Sequence, residues 1–184
     1  MDTLKDRIPD YARDLRLNIS SVLTPQGAPG LSESQLWMVA FAAAIASRNA
    51  ELARSIEVEA ATRLAPAEIE AARSAAAIMG MNNVYYRFLH LVEDEEYAKL
   101  PARLRMNVIG SPGIPKADFE LVSLAVSAVN GCGLCLESHE KALREHGVSR
   151  EAIQSAARIA AVVHAVAVTL EAENPAVVEL ATAA

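Results

Sequence analysis

PKADFELVSLAVSAVNGCGLCLESHEKALREHGVS, residues 115–149, reads as two helices joined by a tight turn and the start of a third. Pro115 suits the first turn of a helix that runs to about Val129, since its missing N–H has no partner to lose there. Asn130-Gly131 is a strong turn dipeptide. A second helix then covers Cys132 to His146 and stops at Gly147, the residue type that takes the left-handed conformation after a helix at little cost. Ser149 is placed to cap a further helix, which continues to about Glu173 before Asn174-Pro175.

Working outward, Pro9 opens a first helix through Tyr11, Leu15 and Ile19, and TPQGAPG from Thr24 to Gly30 breaks it. Ser32 or Ser34 offers an N-cap for a helix through Leu36, Val39, Ala40, Ala43 and Ala46 toward Arg48. Another spans about Asn49 to Leu64, and Pro66 starts an Ala-rich helix to about Asn82. Residues 84–109, with the DEE cluster and Pro101, predict two short helices with a polar face, closed by the SPGIP loop at 111–115. The apolar tail from Pro175 predicts one short docking helix.

Every element is helical, and composition agrees. The chain has 184 residues, 52% apolar and 22% charged, but only 3 Phe, 4 Tyr and 1 Trp. Such an Ala-rich apolar fraction favours closely packed helices over sheets built on aromatic and β-branched side chains. The fold class is all-α, and the length suits a single domain over residues 1–184. A faint internal repeat relates residues 32–83 to 116–168: QLWMVAFAAA lies over ELVSLAVSAV, and AEIEAARSAAAIM over EAIQSAARIAAVV. In that register Ser47, Ala50 and Arg54 stand where Cys132, Cys135 and His139 stand, so chemistry is expected in the second copy alone.

A net charge of −6 provides no electrostatic term for a phosphate backbone or an anionic membrane, so neither nucleic acid nor membrane is an expected partner. Apolar runs such as VAFAAAIA fall far short of the roughly 18 residues of a spanning helix. MDTLKDRIPDYARDL carries both charge signs without an apolar segment, reading as neither a signal nor a transit peptide, and a cytoplasmic location is expected.

Both cysteines fall in one CGLC tetrapeptide, which points to chemistry rather than stapling. Cys132, Cys135 and His139 are spaced to share one helix face. Helix N-terminal N–H groups favour a thiolate, lowering a thiol pKa from about 8.5. His139 can accept or return the proton. A hairpin folded at Gly131 sets Glu120 opposite Ala142 and His139 opposite Ser123, an offset of about 4.5 Å. Glu120, His139 and Cys135 are therefore a candidate proton relay, and Cys132, at the helix edge, is expected to be the more accessible thiol. The same residues could instead complete a zinc site or form a redox-sensing interaction module without catalysis. Spacing alone leaves that open.

The pattern E-x11-C-x-x-C-x3-H, read at Glu120, Cys132, Cys135 and His139, resembles the AhpD family of alkyl hydroperoxide reductase proteins, within the carboxymuconolactone decarboxylase-like superfamily. NIS at Asn18, QLW at Gln35, AAAIMGMNNVYYR from Ala75, LRMNVIGSPGIPKADFEL from Leu104 and AVSAVNGC from Ala125 extend the similarity over most of the chain. The resemblance implies a duplicated all-helical fold, commonly a homotrimer, and a redox-active Cys132–Cys135 disulfide that reduces the peroxiredoxin AhpC. It also implies electrons from dihydrolipoamide on a lipoyl carrier protein of a 2-oxoacid dehydrogenase complex, weak direct peroxidase activity, and no bound cofactor or metal. Carried over, Cys135 is the peroxide-attacking thiolate that becomes a sulfenic acid. Cys132 is the proton donor and forms the interchain disulfide with AhpC, and Glu120 and His139 match the relay. Family members can carry His immediately before the second cysteine, where this chain has Leu134. A ring-lactone decarboxylase of the wider superfamily would have no need of a CxxC.

Overall fold

The computed structural model describes residues 2–174, and all regular structure among them is helical. The elements are α1 (Asp2–Lys5), a 3-10 turn (Asp10–Ala12), α2 (Arg13–Val22), α3 (Glu33–Ala46), α4 (Ala50–Ala60), α5 (Pro66–Val92), α6 (Glu95–Lys99), α7 (Asn107–Gly110), α8 (Lys116–Asn130), α9 (Gly133–Glu145) and α10 (Arg150–Ala172). The docking helix expected from Pro175 lies outside the described residues.

Two helices are buried all round. In α3 nine consecutive residues, Leu36 to Ala44, are buried, and in α8 the same holds for Phe119 to Ser127. A helix without a polar face belongs at the centre of a bundle. These two pack on each other, and α5 and α10 pack on both, with α2 against α10, α4 against α3 and α9 against α8 and α5. Ala40, Ala42, Ala43, Ala44 and Ala125, all fully buried, keep the central surfaces flat enough for close approach.

Helix ends follow local chemistry. Ser32 and Gln35 form a reciprocal capping box at the start of α3, and Asn49 and Ser149 cap α4 and α10 through Leu52 N–H and Ala152 N–H. Gly131 ends α8 at φ 67°, with Cys132 N–H reaching back to Ser127 O and Gly131 N–H to Ala128 O. Gly147 ends α9 in the same way, Val148 N–H bonding Leu143 O. Both ends are Schellman turns, which set the angles at which α8, α9 and α10 follow one another.

Three expectations need correction. Short α1 precedes Pro9 in a segment whose mixed charges hid it. The helix expected from Asn49 to Leu64 stops at Ala60, with a turn before Pro66. The Ala-rich helix does not end near Asn82 but runs to Val92, so residues 84–92 belong to it. Asn82 and Asn83 are buried on α5, and Asn83 spends its polar groups on α8 instead of on its own backbone, so neither terminates the helix. One further feature does not show in uninterrupted apolar runs. Among the described residues α10 is long and apolar enough to cross a membrane, with mean hydropathy 1.5, but half of that stretch is buried in the protein. Packed on α2, α3 and α8, it is a core helix.

Candidate active site

Cys132 occupies the N-cap of α9, so the turn that ends α8 delivers the first cysteine to the point where α9 has unpaired N–H groups. Its sulfur accepts from Cys135 N–H at 3.3 Å. The two cysteines are joined in a disulfide, their Cα atoms 5.3 Å apart. Disulfide and helix N-terminus thus coincide, and a thiolate released at Cys132 would inherit both the N–H and the positive end of the helix dipole.

Across the α8–α9 hairpin, Glu120 meets His139. Nδ1 of His139 lies 2.6 Å from Oε2 of Glu120, and the two side chains are only 12% and 10% exposed. With the carboxylate as acceptor, Nδ1–H is the donor and Nε2 is the ring nitrogen left for other work. The offset expected from the hairpin is closed by side-chain reach, without an intervening group.

Cys135, His139 and Glu120 all line one cleft of about 400 Å³. Its remaining wall comes from α5 (Met79, Asn82, Tyr86), from Met106 and Ile109 near α7, and from Leu134, Ser138 and Ala142 on α9. Apolar side chains dominate this lining, so polar groups inside it are less hydrated than on the open surface and their contacts are strengthened. Leu134, at the position that can be histidine in the resembling family, is 36% exposed at the rim and offers no titratable group.

The order of exposure is the reverse of the expected one. Cys132 is 0% exposed and does not line the cleft, whereas Cys135 is 6% exposed and does. An N-cap residue wedged behind a Schellman turn is covered by the helices it joins; one turn further on, the side chain faces α5. The argument from helix-edge position therefore fails for Cys132.

Behind the disulfide lies a polar network that motif reading missed. Asn83 Nδ2 donates to Ser127 Oγ at 2.8 Å, Asn130 Nδ2 donates to Asn83 Oδ1 at 2.9 Å, and Arg87 Nη1 donates to Asn130 O at 2.6 Å. It ties the end of α8, and hence the CGLC turn, to α5. The Asn82-Asn83 pair within the apolar stretch from Ala75 to Val84 was the available signal. No group of three or more His, Cys, Asp or Glu side chains is arranged to hold a metal ion among the described residues.

Residues 95–177 match the carboxymuconolactone decarboxylase family, a span that holds all four candidate residues. Similarity to proteins named alkyl hydroperoxide reductase AhpD runs over nearly the whole chain. The relative from Rhodopseudomonas palustris (strain BisA53) is 57% identical over 172 residues, covering 94% of this chain and 93% of its own. The chain belongs to the AhpD family. Other AhpD relatives agree: that of Gluconacetobacter diazotrophicus is 58% identical over 171 residues, covering 93% and 92% of the two chains, and that of Streptomyces coelicolor 57% over 173, covering 94% and 96%. Family membership and the Cys132–Cys135 pair together fit an AhpD redox role.

Proposed function

We propose that this protein is a thiol-disulfide oxidoreductase that takes electrons from dihydrolipoamide on a lipoyl carrier and passes them to the peroxiredoxin AhpC, with weak direct alkyl hydroperoxide reduction. One observation carries it: a disulfide at a helix N-terminus opens through Cys135 onto a cleft that also holds a carboxylate–imidazole pair.

The chemistry balances as disulfide exchange. A donor thiolate attacks Cys135 Sγ, the sulfur that faces the cleft, and Cys132 leaves as a thiolate at the helix N-terminus. The donor's second thiol then displaces Cys135, closing the donor disulfide and leaving both cysteines reduced. His139, held by Glu120, takes the proton of the incoming thiol and returns it to the departing one. In the reverse direction Cys132 forms the mixed disulfide with AhpC, and Cys135 resolves it. Direct peroxidase turnover has the Cys135 thiolate attack the O–O bond, giving an alcohol and a sulfenic acid, with Cys132 as proton donor; Cys132 then condenses with the sulfenic acid and releases water.

The reading includes a cytoplasmic location, where thiols are kept reduced, and a homotrimer. Exposed Val84, Phe88, Leu91 and Val92 form an apolar stripe on α5, continued by Tyr97 and Leu100, which supports association through this face. The deciding experiment supplies dihydrolipoamide, this protein and oxidised AhpC, and follows AhpC thiols. Transfer that needs all three components supports the reading. One tightly held zinc per chain, with no transfer, would replace it by a zinc-bound interaction module.

A further inference from the structure

Asn82 and Asn83 are neighbours on α5, 5% and 1% exposed, and their fates differ. Asn83 has both ends of its amide paired, with Ser127 and Asn130. Asn82 lines the redox cleft, and its Oδ1 is buried without a hydrogen-bond partner. Ser123 Oγ is the other such atom among the described residues, and Ser123 does not line the cleft. A buried polar atom left unpaired is destabilising, so one kept beside a cavity points to a group that arrives from outside the protein.

The surroundings define that group. Met79 and Tyr86 flank Asn82 on the same face of α5, and Met106, Ile109 and Leu134 complete the walls. Of the other polar groups, Glu120 and His139 Nδ1 hold each other and Tyr86 Oη contacts Met106 Sδ at 3.9 Å, while His139 Nε2 is kept for proton transfer and Ser138 is exposed at the rim. Such a cleft fits an apolar arm carrying one amide, because a carboxamide offers an acceptor and donors that a second amide can match. The acyl amide of a lipoyl-type dithiol has this composition.

We propose that Asn82 is a specificity-determining residue that holds the amide of the dithiol donor's arm while its sulfurs exchange at Cys135. This rests on the donor assigned above. Asn82 touches no reacting sulfur in the scheme, and it acts by positioning.

The test is reduction of the oxidised protein by dihydrolipoamide and, separately, by dithiothreitol, which has two thiols and no amide. The rate of disulfide loss is followed against concentration of each. Asn82→Ala should raise the half-saturating concentration for dihydrolipoamide about tenfold and move that for dithiothreitol by less than about twofold, the scale of one lost hydrogen bond. Asn82→Asp keeps the volume and an acceptor and should raise the dihydrolipoamide value about threefold; it carries the test if the Ala variant does not fold. Equal changes for both dithiols, or none, would overturn the role of Asn82. Wild-type protein reduced by dithiothreitol but not by dihydrolipoamide would overturn the donor itself, and this proposal with it.

Discussion

His139 Nδ1 and Glu120 Oε2 are 2.6 Å apart although the residues are separated by 19 positions and sit on different helices. The contact exists because Gly131 turns α8 back on α9, so a carboxylate early in α8 meets an imidazole near the middle of α9. Little solvent reaches either side chain, so this is no screened surface ion pair. Glu120 fixes which ring nitrogen of His139 is free, and that nitrogen shares a cleft with Cys135.

Glu120→Gln and His139→Asn should therefore each lower turnover by about a hundredfold, the usual contribution of a positioned acid–base group. The double variant should lie within about threefold of the weaker single one, because residues acting as a unit are not additive. Alkylation of Cys135 in the reduced protein should shift to higher pH in all three. Multiplicative losses with an unmoved alkylation profile would mean that the two act separately.

The disulfide should be reversible. Mild peroxide treatment of reduced protein should remove two titratable thiols and two hydrogens by mass, and a dithiol should restore both. Two thiols that survive peroxide would contradict the redox assignment.

The central and C-terminal helices were legible because their boundaries are written locally, in Ser32, Pro115, Asn130-Gly131, Gly147 and Ser149. So was the grouping of Glu120, Cys132, Cys135 and His139, whose spacing carries the helix period and one hairpin. The α5 wall of the cleft was not. Met79, Asn82 and Tyr86 reach Cys135 by packing of distant helices, and no local spacing encodes that. The same cause misplaced the end of α5: asparagine reads as a helix terminator until a partner 44 residues away absorbs its amide. Exposure of the two thiols likewise depended on what covers an N-cap. Our proposal that residues 116–168 duplicate 32–83 within one domain draws on α3 and α8, the corresponding segments, being the two central helices packed on each other.

Asn83 should matter to stability more than any charge on the surface. Asn83→Ala leaves the buried Ser127 Oγ and the half-buried Asn130 Nδ2 without their partner, an expected cost of about 1–3 kcal/mol in chemical denaturation. Asn130 also adjoins the CGLC turn, so the variant's disulfide should be reduced faster by dithiothreitol. A loss below about 0.5 kcal/mol, within the ordinary range for a surface substitution, would show that the network contributes little.

Gly131→Ala isolates backbone strain from crowding. A Cβ there would meet no atom within 4 Å, while φ of 67° is one that L side chains rarely adopt. The cost should be about 1 kcal/mol, all of it conformational. Gly131→Asn should recover part of it, since asparagine tolerates the left-handed region better. If Ala and Asn behave alike, the positive φ is not what constrains this turn.

The two sulfurs should divide the work by direction. In the oxidised protein Cys135 is the sulfur on the cleft and Cys132 is covered, so a small dithiol must attack Cys135. Cys132 is the better leaving group, since Cys135 N–H and the helix N-terminus hold its thiolate. The mixed disulfide with the donor should form on Cys135 of the oxidised protein, and peptide mapping should find a monothiol analogue, which lacks the second thiol that displaces Cys135, held there. On the proposed function AhpC meets the reduced protein, in which the cysteines are no longer joined and the disulfide no longer holds Cys132 at its N-cap. Cys135→Ser should accordingly trap AhpC through Cys132. The measurement is peptide mapping of the trapped species in each variant. AhpC found on Cys135 in Cys132→Ser, with none on Cys132 in Cys135→Ser, would mean that both partners enter through the cleft, leaving Cys132 as resolving thiol for both.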